Sequence, residues 1–232
     1  MKIGIVGGTG YMGRGLAIRW AVKHDVLIGS RILERAIKVA EELKETAREF
    51  YQAEMRGTVK GFLNMHAARE SDVVVITLPP EAAVSSIIEL KDYLNPRQTI
   101  VSTVVSMIKK KGLFYFTNLP TGDIAGLKGE STAEVINEIV KCAPVVSAFQ
   151  TVPAASLNNI KSVLELDVLI AGNYEPSIGV VSELVQDIPN LRPIKAGPLK
   201  NSKIIESITP MLLNIAILNN LHEPSLRIVS RT

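Results

Sequence analysis

A short apolar run, Lys2-Ile3-Gly4-Ile5-Val6, leads straight into Gly7-Gly8-Thr9-Gly10-Tyr11-Met12-Gly13, and that loop leads straight into an apolar helical pattern. No other feature constrains the fold as strongly. Glycines spaced this way between a strand and a helix allow a tight turn with positive φ, and they let the backbone come close to a pyrophosphate. The helix that follows turns its unpaired N–H groups and positive dipole end toward the same anion. An isolated Gly-x-Gly-x-x-Gly is a weak signal. Set at the opening of a strand–helix–strand unit, it predicts dinucleotide binding by Gly7, Gly8, Thr9, Gly10, Tyr11, Met12 and Gly13.

The rest of the chain keeps the rhythm this loop announces. Candidate strands lie at 2–6, 26–29, 58–61, 73–78, 99–103 and 145–149, and most are continuous apolar runs, as expected where helices cover both faces of a parallel sheet. Between them, 14–22, 33–51, 80–93 and 131–141 carry helical spacing. Ser131 and Glu134 offer a capping box at the start of the last of these. The expectation is an α/β fold with a Rossmann-type doubly wound, mostly parallel sheet and a smaller C-terminal α/β domain. The cut between residues 1–147 and 148–232 falls where the rhythm loosens into a strand near 168–171, a helix near 178–187, a strand at 192–196 and a final helix. In that helix Ile204, Ile208, Met211, Leu212, Ile215 and Leu218 predict a buried face, and Pro210 predicts a kink. A glycine-rich excursion over 106–130, with Leu113-Phe114-Tyr115-Phe116 inside it, reads as an ordered flap or interaction loop.

Composition removes several classes of function. Among 232 residues, 26 basic side chains are balanced by 23 acidic ones, too even a distribution to indicate a nucleic-acid partner. The run Lys109-Lys110-Lys111 has no interleaved aromatics and reads as a solvated loop. The three histidines, His24, His66 and His222, lack ligand spacing, so no metal is expected. Cys142 is the single cysteine. It allows no internal disulfide, fits a cytoplasmic setting and is expected to be a buried or half-buried structural thiol without a catalytic part. No leader pattern opens the chain and no apolar stretch reaches the ~20 residues of a membrane span.

The end of the second strand carries the choice of dinucleotide. An NAD-binding chain usually places a carboxylate there for the ribose hydroxyls, whereas this chain has Gly29-Ser30-Arg31. A carboxylate would repel a 2′-phosphate. A Ser30 hydroxyl and an Arg31 fork would bind it, and Arg35, one helical turn on, adds a second positive charge, so NADP is expected.

Together with this loop and Gly29-Ser30-Arg31, the segments Thr77-Leu78-Pro79-Pro80-Glu81, Thr151-Val152-Pro153-Ala154-Ala155 and Ala196-Gly197-Pro198-Leu199-Lys200-Asn201-Ser202 give the chain its likeness. It resembles the archaeal NADP-dependent reductases of the deazaflavin coenzyme F-420, from the first strand to Glu206-Ser207-Ile208-Thr209-Pro210 in the last helix. The resemblance implies that Thr9, Met12, Ser30, Arg31 and Arg35 hold NADP through its phosphates and that Leu78 and Pro79 border the nicotinamide ribose. It implies that Pro153 and Ala154 set backbone against the nicotinamide and the facing deazaflavin, and that a homodimer forms. Its chemistry is direct hydride transfer between stacked rings, with no nucleophile required. The chain departs from the family at Gln150, where His is usual, and at Tyr11, where a smaller polar residue is common. Gln150 would border the second ring without being able to become cationic. Lys200 and the helix start expected at 198–202 would suit an anionic coenzyme tail.

Three functions fit these residues. One is hydride transfer between NADP(H) and coenzyme F-420. Another is NADPH-dependent reduction of a flavin, a ferric chelate or a cyclic imine such as pyrroline-5-carboxylate. The third is a non-catalytic NADP(H) sensor with residues 113–116 as its contact surface.

Overall fold

The computed structural model describes residues 1–118 and 129–230. The first half alternates strand and helix as β1 (Lys2–Val6), α1 (Tyr11–Trp20), β2 (Asp25–Ser30), α2 (Leu33–Tyr51), β3 (Val59–Leu63), α3 (Asn64–Arg69), β4 (Val73–Ile76), α4 (Pro80–Leu90) and β5 (Thr99–Ser102). A two-stranded hairpin follows, β6 (Met107–Lys110) and β7 (Leu113–Phe116), and then α5 (Thr132–Val140) and β8 (Val145–Ser147). The chain ends with α6 (Ala154–Asn158), β9 (Leu166–Gly172), α7 (Glu175–Gln186), β10 (Leu191–Lys195) and α8 (Ser202–Asn219).

Eight strands form one sheet in the order β10-β9-β8-β5-β4-β1-β2-β3. Every neighbouring pair is parallel except β8 with β9. The apolar runs are buried on both faces. Ile3, Ile5, Val73, Val75 and Val101 enter one core with α1, α2 and α7, while Val6, Val74, Ile76 and Ile100 enter a second with α4 and α5. This two-sided burial is why these strands read as unbroken β-branched sequence. The parallel arrangement brings the C-terminal ends of β1, β2, β4, β5 and β8 to one edge, where ligands bind in open α/β sheets.

Ser131 caps α5, its Oγ accepting from Glu134 N at 3.2 Å; the reciprocal bond of a full capping box is shifted by one residue, because Glu134 Oε2 accepts from Glu130 N at 3.1 Å and from Ser131 Oγ at 2.9 Å. Three expectations need correction. The run 113–116 is a strand, paired with β6 and braced on α8, where Asn214 binds both the N–H and the C=O of Phe114 at 2.7 Å. The remainder of the 106–130 excursion, 119–128, lies outside the described residues. Cys142 is exposed, because α5 ends at Val140 and the chain turns at the surface through Lys141 at φ 50°. The expected buried face of α8 is largely uncovered. Ile204, Met211 and Leu218 are 64%, 53% and 69% exposed, while Ile205, Glu206 and Pro210 face inward. Pro210 lies inside the helix, which continues past it to Asn219.

Candidate active site

A cavity of about 730 Å³ lies along the C-terminal ends of the strands. Gly7, Thr9, Gly10, Tyr11 and Met12 line one side of it. Gly7 stands at φ +78°, and a Cβ there would meet Leu78 Cδ2 at 2.7 Å, so only glycine makes this turn without strain. Gly10 caps α1 with no side-chain hydrogen bond, which leaves the first-turn N–H groups available to an anion. Gly8 and Gly13 do not line the cavity. They bring α1 onto β1: a Cβ on Gly13 would come within 2.6 Å of Gly8 Cα.

Ser30, Arg31 and Arg35 line the far end. Ser30 Oγ accepts from Ile32 N at 3.2 Å, which leaves its own proton to donate. Both arginines are exposed, and among the described residues neither has a carboxylate partner. Arg35 sits in the first turn of α2, where a positive side chain is disfavoured by the helix dipole unless an anion joins it.

Asn64, which the sequence analysis missed, joins the two ends of this half. Its Oδ1 accepts from Gly7 N at 3.2 Å and fixes the entry to the glycine loop from the start of α3. Nothing in its local sequence signals that role.

The opposite wall is assembled from distant segments. Leu78, Pro79, Thr103, Met107, Gln150, Pro153 and Ala154 all line the cavity, with Thr209, Leu212 and Leu213 from α8. The floor hydroxyls are tied down: Thr77 Oγ1 donates to Val6 O, Thr103 Oγ1 to Ile76 O and Thr209 Oγ1 to Gln150 O, at 3.0, 3.0 and 2.8 Å. Phe149 is held at φ +72°, rare for an aromatic residue, with its ring edge-on to Trp20 at 5.6 Å. That bend ends β8 at Ser147, two residues before the expected 149, and turns Gln150 inward. Gln150 Nε2 donates to Ser102 O at 2.8 Å and Ser147 Oγ at 2.9 Å, so its amide braces the tips of β5 and β8 from beneath the wall. The segment 198–202, with Lys200, does not line the cavity.

Glu206 lies one helical turn before Thr209 and is fully buried. It accepts from Thr132 N at 3.0 Å and Ala133 N at 3.1 Å, joining α8 to the start of α5. Burial pushes its carboxyl up to about 7, against the pull of those two N–H groups.

Beyond α8 the chain turns at Asn220, φ 52°, and returns past the cavity. Glu223 and Pro224 line its mouth, and Ser156 of α6 hydrogen-bonds the Glu223 carboxylate. The return is anchored at Asp167, which donates its N–H to Leu226 O at 2.8 Å and accepts from Ile228 N at 2.6 Å. Arg192 forks onto both Asp167 oxygens at 2.7 and 2.8 Å and holds that carboxyl below the usual range.

The ionisable side chains lining the cavity are Tyr11, Arg31, Arg35 and Glu223. Among the described residues, no group of three or more His, Cys, Asp or Glu side chains could hold a metal ion, and no helix is long and apolar enough to cross a membrane. The fold and this cavity define a class: a Rossmann-type α/β protein with a ligand cavity at the C-terminal edge of its parallel strands.

Residues 2–106 match the model of the family described as NADP oxidoreductase, coenzyme F420-dependent. The chain is 38% identical over 217 residues to an F420-dependent NADP reductase of Methanocaldococcus jannaschii, covering 94% of this chain and 93% of the relative. It is 34% identical to an F420-dependent NADP reductase of Methanothermobacter thermautotrophicus, covering 99% and 95%. A solved structure from Arthrobacter sp. FB24 shares the fold over 99% of this chain and 100% of that one, with a TM-score of 0.77 at 18% identity. The chain belongs to the F420-dependent NADP reductase family.

Proposed function

We propose that this chain transfers a hydride between NADP(H) and the deazaflavin coenzyme F-420. The observation that carries the reading is one continuous cavity that runs from the glycine loop, Arg31 and Arg35 to Pro153, Ala154 and the apolar side chains of α8. The residues at the first end fit NADP: the turn at Gly7, the free amides at the start of α1, and two unpaired guanidinium groups where a 2′-phosphate would lie. Thr9, Met12, Ser30, Arg31 and Arg35 hold the phosphates, and Leu78 and Pro79 border the nicotinamide ribose. Pro153 and Ala154 let two flat rings approach each other, while the apolar side chains of α8 and Met107 exclude water. NADP and F-420 supply the redox chemistry, so the protein's contribution is alignment, which is worth several orders of magnitude in rate.

In this reading residues 1–147 carry the dinucleotide and 148–232 complete the second-substrate wall. The enzyme is a cytoplasmic homodimer with small-molecule substrates and no nucleic-acid or membrane partner. The exposed residues Ile204, Met211, Ile215 and Leu218 recur every three to four or seven positions along α8, the spacing of a helix seam, and this supports pairing with a second copy. A screen of NADPH oxidation tests the function. Saturable turnover with F-420, and at most trace rates with flavins, ferric chelates and cyclic imines, is expected. Turnover of one of those acceptors without F-420 would move the chain to another reductase activity, and tight NADPH binding with no acceptor would indicate a sensor.

A further inference from the structure

Pro153, Ala154 and Ala155 line the cavity at the start of α6, a helix of only five residues. Isolated helices shorter than about 12 residues are marginal in water, so whatever α6 docks on decides where this wall stands. It docks on α1. Leu157, the one buried residue of α6, packs where α1 has Gly15. A Cβ on Gly15 would come within 2.6 Å of Leu157 Cβ, so glycine is what lets the two helices approach this closely.

Two polar side chains complete the contact. Asn158 Nδ2 donates to Tyr11 O and to Ala154 O, both at 2.6 Å. One amide therefore joins the first residue of α1, just past the glycine loop, to the first residue of α6, and both of those residues line the cavity. Arg19, in the last turn of α1, is 5% exposed and among the described residues has no carboxylate partner. Its guanidinium donates instead to the carbonyls of Leu157, Ser156, Asn159 and Ser162 at 3.2, 3.3, 2.8 and 3.0 Å. A charge taken out of water has to be met by hydrogen bonds, and here they come from the carbonyl end of α6 and the turn beyond it.

Neither Arg19 nor Asn158 lines the cavity. We infer that they are positioning residues for hydride transfer: they lock the wall at Pro153 and Ala154 to the helix that starts at the glycine loop, and so set how the two rings meet without touching either. This rests on the reading of the cavity proposed above. Reacting atoms must come within about 3–3.5 Å, and a misplacement of about 1 Å costs about a hundredfold in rate. The same join has a second consequence, because a ligand that steadies the glycine loop should steady the wall through Asn158.

Two measurements test it. In single turnovers with saturating NADPH and F-420, Asn158→Ala removes the bridging donor, and Arg19→Lys keeps the charge but loses the fork. Each is expected to slow hydride transfer about tenfold while the NADPH dissociation constant stays within about twofold. An unchanged transfer rate, or a rate loss matched by an equal weakening of NADPH binding, overturns the assignment. Should Arg19→Lys fail to fold, the half-buried Asn158→Ala decides. The second measurement needs no acceptor: amide hydrogen exchange over residues 156–163 is followed with and without 2′-phospho-ADP-ribose, which fills the phosphate end and carries no nicotinamide to touch the wall. Binding should slow exchange there in the wild type and not in Asn158→Ala. No slowing in the wild type, or equal slowing in both proteins, overturns the join. If the wild type reduces another acceptor and not F-420, the acceptor reading falls and hydrogen exchange alone judges the join. If 2′-phospho-ADP-ribose does not bind, the dinucleotide reading and the join fall together.

Discussion

The two ends of the cavity are built differently. The end proposed to take the phosphates comes from one stretch of chain, residues 7–12, and from 30–35 at the tip of the adjacent strand, with Asn64 joining from elsewhere. The end proposed to take the acceptor draws on the tips of β4 and β5, the hairpin, the bend after β8, α6, α8 and the returning tail. The first end follows from local backbone geometry, since a glycine turn and a helix N-terminus form wherever their sequence occurs. The second exists only when the whole sheet and α8 are in place. Changes at the two ends should therefore separate cleanly, with cofactor choice affected at one and acceptor affinity or global stability at the other.

The largest effect is expected at the phosphate end. Arg31→Ala/Arg35→Ala should weaken NADPH binding by about a hundredfold or more and leave NADH binding nearly unchanged, since each charge-assisted bond contributes about 1.5–3 kcal/mol. Titration of both dinucleotides checks this, and equal wild-type affinities for the two would remove the assigned role of Ser30 and Arg31.

Glu206 gives the next effect, at the acceptor end. Its carboxyl lies at about 7 in the folded protein against an ordinary 4.5, so the folded state holds the proton more tightly than the unfolded one. The stabilisation is complete below about 4.5 and lost as pH rises through about 7. The difference, 7 − 4.5, is of order 3 kcal/mol. Glu206→Gln should flatten the fall in melting temperature across that window, and an unchanged profile would show that Glu206 is not the group responsible.

Much of the first end was legible in the sequence because its signals are contiguous: the strand, the glycines and Ser30-Arg31 lie within about thirty residues. The sheet was legible for a related reason, as runs such as Val73–Ile76 declare burial on both faces. The acceptor end gave less away. Nothing local marks Asn64, the positive φ of Phe149 or the return of Glu223 to the cavity mouth. Periodicity found the apolar stripe of α8 but not what covers it, since a helix seam reads the same whether this chain or a second subunit does so. Cys142 was placed inside because cysteine is usually buried, and a short surface turn after α5 exposes it.

Smaller effects sharpen the contrast. Gln150→Ala removes the brace between the tips of β5 and β8 and leaves Ser102 O without that donor. It should raise the F-420 KM about tenfold with the NADPH KM nearly constant. Gln150→His, which keeps one N–H donor, should stay within about threefold of wild type. An equal rise in both KM values for Gln150→Ala would break the separation between the two ends. Cys142→Ser should change turnover least, since the thiol is exposed and does not line the cavity. A loss beyond about tenfold, some 1.4 kcal/mol of barrier, would contradict that.

The central claim is that one cavity aligns two rings for direct hydride transfer, and deuterium tests it. NADPH labelled separately at each C4 position is mixed with coenzyme F-420 and the wild-type protein, and the reduced deazaflavin is examined by mass and NMR. Complete transfer of deuterium from one labelled position, none from the other and no exchange with solvent is the expected result. Reduced F-420 carrying hydrogen from solvent in place of the label, or label arriving equally from both C4 positions, would contradict it.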